Sequence, residues 1–341
     1  MKPLLLSSGQ KLNWLTIVPA IILACLLTNC TKPHDPPVLS ITPVASGFVA
    51  PIGLATDKYG RVWVAEMGSG KGDGRISVIS NGTRYDAITS FESTFTPGGE
   101  LEGPTHLLFH EGKLFILGAG GKLYKADVSH FSAGDTPLIA SNLAVEDIGT
   151  FVLAYPFAVP TGETHPYNLV AAPDGSIYIA DAAANAILKR SKSGVLSVVA
   201  QLPLVANPLP IGPPMIHPVP TGLIYEKGNL LVTTLTGFPF PAGKASIYKV
   251  SPNGNFAVSQ AGFTTLVDIA KGNLHDNIAV QHAEFGPTGF VANSGKLIWV
   301  DGTTATDLAM GLNLPAGITQ ANAHTWYITS LADGAVSKVT Y

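Results

Sequence analysis

One stretch constrains the fold more than any other: residues 164–190, THPYNLVAAPDGSIYIADAAANAILKR. Residues 167–171 form a short apolar run suited to an inner, fully buried strand. Pro173-Asp174-Gly175 is turn chemistry, because Asp and Gly accept the dihedrals of a tight hairpin. Residues 176–181 (SIYIAD) are branched and aromatic, and read as the partner strand. Residues 182–185 make a small polar bend. Residues 186–190 (AILKR) and 196–202 (LSVVAQL) complete a four-stranded meander. Such a sheet cannot bury both faces alone. Radial stacking of copies solves that problem, so the pattern predicts a propeller blade.

The opening phrase of this unit recurs. Pro51-Ile52-Gly53, Pro104-Thr105-His106, Pro166-Tyr167-Asn168, Pro220-Thr221-Gly222, Leu266-Val267-Asp268 and Pro315-Ala316-Gly317 each precede an apolar run. Their third residues lie 46 to 62 residues apart, with a mean near 53. Six such units fill residues 30–341, so the expectation is an all-β, six-bladed β-propeller of four-stranded antiparallel blades. The chain ends soon after a third strand in the sixth unit. Residues 39–49 read as a strand without a blade. This N-terminal strand is expected to complete the last blade against residues 336–339 and so remove the exposed edges. A brief helix is expected at residues 146–153, ended by Pro156 and Pro160.

Composition agrees with many short strands and turns: Gly 36 and Pro 26, with only 13% charged residues against roughly 25% in an average soluble domain. A net charge of −3 and the lack of a basic run exclude a nucleic-acid partner of the usual electrostatic kind. The first residues serve a different purpose. Lys2 and Lys11 precede an apolar segment, residues 12–27, which ends in Leu27-Thr28-Asn29-Cys30. That order resembles a bacterial lipobox, with Cys30 as the lipidated residue; Asn29 departs from the small residue usual before the Cys. The reading is a lipoprotein-type signal peptide at 1–29, a tether at 30–38 and a single propeller domain at 39–341. It puts the protein in the cell envelope, held to a membrane through its N-terminal lipid alone. A plain signal peptide and an uncleaved anchor are the alternatives.

In an up-and-down blade the links alternate between two faces. The Asp-Gly hairpins share one face. The long segments (residues 67–74, 94–105, 145–165, 203–219, 236–244 and 283–295) share the other. Sites favour loops on a rigid scaffold, so this loop face is expected to hold the function, with a pocket at the central channel. Gly53, His106, Asn168, Gly222, Asp268 and Gly317 begin the inner strands and should ring the channel mouth. His106, Asn168 and Asp268 have side chains suited to a divalent cation such as Ca²⁺. They are equally suited to hydrogen-bonding the inner strands. His165 belongs to the same mouth. Phe238 and Phe240 offer a rigid apolar contact, either to a ligand or to the next blade. Glu66 and Asp181 end second strands and should accept backbone donors in the bends that follow. The Gly-rich bend at 67–74 opens no helix, so it is no phosphate loop. Ser176 and Ser197 lack a nucleophile-elbow setting.

Leu235-Thr236-Gly237-Phe238-Pro239-Phe240-Pro241-Ala242-Gly243, followed by Ile247-Tyr248-Lys249-Val250, resembles the ScyD/ScyE family of exported NHL-like propellers. His165-Pro166-Tyr167 with Ile179-Ala180-Asp181, and Val267-Asp268-Ile269-Ala270, are similar to other blades of that family. The resemblance spans roughly residues 51–341 and implies six blades. It supplies no activity. Family members carry Glu where this chain has Thr234, and often Gly where Asn168 stands. Two functions compete on these residues. One is a non-catalytic module that binds a small molecule or a protein partner. The other is a metal-dependent hydrolase or lactonase of the gluconolactonase-like type, in which a channel ion would polarise a carbonyl or activate water.

Overall fold

In the computed structural model, residues 36–273 and 276–341 are described. The expected signal, Cys30 and most of the expected tether lie outside the described residues. Among the described residues no helix is long and apolar enough to cross a membrane.

The unit that frames the fold forms as its residue types require. Its hairpin closes with Ala172 N donating to Ser176 O at 2.8 Å and Gly175 N to Ala172 O at 3.0 Å. Asp174 Oδ1 accepts Ser176 N at 2.9 Å, and Gly175 sits at φ 79, a backbone angle that favours glycine. The four strands Pro166–Ala171, Ile177–Asp181, Ala186–Arg190 and Leu196–Gln201 pair in that order as blade 3. Blade 1 starts with Pro51–Thr56, blade 2 with Leu107–His110, blade 4 with Pro220–Glu226, blade 5 with Leu266–Lys271 and blade 6 with Pro315–Asn322.

Strands buried on both sides explain the apolar runs. Ile177 and Ile179 point into the space shared with blade 2, and Tyr178 and Ala180 into the space shared with blade 4. The described residues form six apolar clusters, one in each space between neighbouring blades. Hydroxyls latch the blades at the loop end of the inner strands. Thr105 Oγ1 donates to Pro166 O at 3.2 Å, Thr221 Oγ1 to Leu266 O at 2.8 Å, and Thr329 Oγ1 to Ile52 O at 2.7 Å.

The ring closes as expected. Ser40–Ser46 pairs antiparallel with Ala335–Thr340, with Ile41 opposite Val339 and Ala45 opposite Val336. Blade 6 thereby gains its outer strand. Two details differ from the sequence reading. Blade 1 has a fifth strand, Leu138–Ile139, which runs parallel to Thr83–Phe91. It comes from a long excursion between the third and outer strands of blade 2. The helix is Ile148–Ala154, not 146–153: Glu146 belongs to the outer strand Ala144–Asp147, and Asp147 caps the helix by accepting Thr150 N at 2.9 Å.

Glu146 ties blade 2 to blade 3. Arg190 Nη2 donates to its Oε1 at 2.6 Å and Lys125 Nζ to the same oxygen at 2.8 Å. The Arg190 contact, helped by Lys125, lowers the Glu146 carboxyl from 4.5 to about 2. A depressed folded value means stability that is present above about pH 4.5 and lost as pH falls towards 2. Glu146→Gln should therefore flatten this part of the acid limb of a stability–pH curve and leave no other inflection. Denaturant midpoints between pH 2 and 7 check this.

Candidate functional site

The six positions that open the inner strands do meet at the axis. Three of them are glycine because the ring is tight. A Cβ on Gly53 would lie 2.6 Å from His106 Cα, on Gly222 2.4 Å from Asp268 Cα, and on Gly317 2.3 Å from Ile52 O. The other three fill the axis with their side chains. Asn168 Nδ2 donates to Asp268 Oδ1 at 2.8 Å, across a sequence separation of 100 residues. Asp268 Oδ1 also accepts Ile269 N, and its Oδ2 accepts Ile318 N, each at 2.8 Å. His106 Nε2 stands 3.7 Å from Asp268 Oδ2. All three residues are buried, and both ring nitrogens of His106 lack a hydrogen-bond partner. A buried polar group without a partner is rare.

The pocket expected at the central channel is present, and it extends along the inner strands away from the long loops. An axial cavity of about 290 Å³ runs from His106, Asn168 and Asp268 towards the hairpin face. Its walls include Ala55, Leu108, Val170, Ile224, Ala270 and Thr319, each two positions along from the ring residue of its blade. Lys271, Tyr225 and Gln320 line it at the hairpin end of their strands. Glycines and hydroxyl latches hold neighbouring blades in close contact at the loop end.

The donor set at the axis does not fit a divalent cation. Ca²⁺ takes roughly six to eight oxygen ligands. Here Asp268 already receives three N–H donors, and Asn168 Oδ1 accepts its neighbour Leu169 N at 2.7 Å. No group of three or more His, Cys, Asp or Glu suited to a metal occurs among the described residues.

His165 does not join the triad. Its Nδ1 lies 3.9 Å from Glu102 Oε1, and this contact holds the Glu102 carboxyl below its usual range. Its ring is 6.4 Å from Tyr167, which in turn packs on His106 at 4.6 Å. Burial, with Asp268 nearby, pushes the Tyr167 phenol up, so it stays a neutral donor. Asp181 accepts a donor from the bend that follows it, as expected, whereas Glu66 takes Val49 N from the segment before blade 1 and the side chains of Ser77 and Arg84. Glu66 Oε2 accepts Val49 N at 2.7 Å, and Asp181 Oδ1 accepts His165 N at 2.8 Å and Ala184 N at 2.9 Å. Burial raises the Asp181 carboxyl. Thr234 satisfies the same kind of bend through Ser246, its Oγ1 accepting Ser246 N at 2.9 Å.

Phe238 and Phe240 lie on the loop face, away from the cavity. Phe240 packs on Phe285 at 4.8 Å and on Phe290 at 5.1 Å, while Phe238 is 52% exposed. Phe285 and Phe290 flank a two-stranded hairpin in blade 5 and escaped the sequence reading, although Phe-Gly-Pro-Thr-Gly-Phe is a paired-aromatic turn. Phe240→Ala should cost about 2 kcal/mol, because the ring bridges blades 4 and 5. Thermal unfolding checks that value, and Phe238→Ala should change stability far less.

No family model matches the chain, and no curated protein matches it in sequence. Solved structures match its architecture. A protein of unknown function from Bacteroides thetaiotaomicron superposes with a TM-score of 0.59 at 13% identity, covering 89% of this chain and 76% of that one. The PQQ-bound aldose sugar dehydrogenase from Streptomyces coelicolor gives 0.56 at 13% identity, covering 90% and 99%. A protein described as a candidate gluconolactonase gives 0.55 at 14% identity, covering 89% and 93%. What is shared is the six-bladed propeller fold. Identity this low speaks for fold alone, and function rests on the site.

Proposed function

We propose that the chain is an exported, lipid-anchored β-propeller of the ScyD/ScyE kind that acts as a binding module, with the axial cavity as its small-molecule site. One observation carries the reading. An axial cavity of about 290 Å³ opens between the inner strands, its wall mixing apolar side chains with His106, Asn168 and Asp268 at the loop end. A concave site that joins apolar walls to a few convergent polar groups is the usual form of a ligand site. The gluconolactonase-like hydrolase is the weaker alternative, because the oxygens that would hold its ion are engaged by N–H donors. The loop face, with Phe238 exposed beside Phe240, is a surface for a protein partner in the same proposal.

The test is a small-molecule stability screen on the full chain and on Val170→Trp, which fills the cavity. Compounds that raise the melting temperature of the first and not the second support the reading. Hits that protect both equally would remove the cavity from it. Anchoring is checked separately, since Cys30→Ala should move the protein from the membrane fraction to the soluble one.

A further inference from the structure

We propose that the hairpin face is a docking surface for an anionic lipid bilayer, so that the anchored propeller turns its loop face away from the membrane. This rests on the lipid anchor at Cys30 and says which face that anchor presents to the bilayer. The point where the described chain begins carries the argument. Ser40 pairs with Thr340, Thr340 with Thr325, and Thr325 with Asn322 across the turn between the first two strands of blade 6. Ser40 therefore lies at the hairpin end, and the chain before it leaves the ring there. Leu39 packs on the cluster between blades 5 and 6. Cys30 precedes it by nine residues, which reach about 32 Å when fully extended. To bring the loop face to the membrane, the chain would have to double back along the whole of Ser40–Ser46, about 20 Å of strand. Most of its reach would be used before the long loops were cleared.

Charge divides the ring the same way. Among the described residues, Lys58, Lys113, Lys192, Lys227, Lys249 and Lys271 are exposed at the hairpin end, against Glu111, Asp127, Asp135 and Asp174. At the loop end the exposed acids are Glu92, Glu100, Asp147, Glu163, Glu284 and Asp333, against Lys71 and Lys244. One face thus carries an excess of positive charge and the other an excess of negative charge, and an anionic surface attracts the first and repels the second. Lys192 and Lys227 rest 3.9 Å from Glu111 and 3.1 Å from Glu226. Such surface pairs are weak, so phosphate groups can displace them at little cost. The turn tips also carry apolar groups beside the lysines. Tyr59 is 62% exposed, with Lys58 Nζ 4.9 Å from its ring centroid, and Val195 is 65% exposed in the same turn as Lys192. A ring or branched tip next to an ammonium suits the headgroup layer, where tyrosines settle and lysines reach outwards to phosphates. The exposed Phe238 of the loop face sits on the acidic side, which the same bilayer repels.

Lysine acetylation of the full chain, read by mass spectrometry, tests this. The chain is compared in detergent, on vesicles of phosphatidylglycerol and phosphatidylcholine in equal parts, and on phosphatidylcholine alone. On the anionic vesicles Lys58, Lys192 and Lys227 should react roughly fivefold more slowly than in detergent, with Lys71 and Lys244 unchanged. The protection should fade on phosphatidylcholine alone and at high salt. A variant with Lys58→Glu, Lys192→Glu and Lys227→Glu together should still float with the vesicles and lose the protection of Lys113 and Lys249. Protection of Lys71 and Lys244 in place of the hairpin lysines overturns the proposal, and so does equal protection on phosphatidylcholine alone. A chain that floats with the vesicles but shows no protected lysine keeps the anchor and loses the docking. One that floats no better than Cys30→Ala discards the anchor, and the docking with it.

Discussion

Asp268→Ala is expected to destabilise the fold by roughly 4 kcal/mol, a large loss for one polar side chain. The carboxylate joins Asn168 of blade 3, its own Ile269 N and Ile318 N of blade 6. Removing it strands several buried donors at once, each costing about 1–3 kcal/mol. It also opens space at the axis, where the inner strands are held closest. Asp268→Asn keeps the shape and one acceptor, and should lose about half as much. Urea unfolding monitored by tryptophan fluorescence gives both values. A near-wild-type midpoint for the alanine variant would mean that water in the cavity takes over the freed donors, and that the triad does not hold the ring.

Deleting residues 40–46 is expected to do more damage to the assembly than any point change. Blade 6 would keep three strands, and the edge of Ala335–Thr340 would lie open along the whole register now filled by Ser40–Ser46. Val44 and Ala45 would leave the cluster between blades 6 and 1, and Ile41 the cluster between blades 5 and 6. A drop in melting temperature of about 10 °C is expected, together with self-association through the open edge. Size-exclusion chromatography and circular dichroism read these two effects. A peptide spanning residues 38–48 should restore the monomer; failure to do so would argue that the strand matters for more than edge closure.

Much of this architecture was legible in the order of residues because blade signals are local. Asp174-Gly175 closes a hairpin whatever surrounds it, and residues 176–181 are strand formers on both faces. The closing strand was legible by accounting, since one blade lacked a strand and one strand lacked a blade. The helix was misplaced by two residues at its start. Glu146 has good helix propensity, but its partners Arg190 and Lys125 hold it in a strand. Phe240 was singled out, yet its contacts with Phe285 and Phe290 depend on how blade 4 sits against blade 5.

The site divides along the same line. Sequence by itself determined that Gly53, His106, Asn168, Gly222, Asp268 and Gly317 occupy equivalent places, because a repeat with a fixed turn puts its first residues in register. Only the tertiary structure decided which of them touch, and it paired Asn168 of blade 3 with Asp268 of blade 5. It also explained the three glycines, which are where a Cβ would strike the next blade. Finally, it put the cavity on the hairpin side of the triad. Which end of a ring holds the cavity depends on how six inner strands tilt and pack together, and no single repeat carries that information.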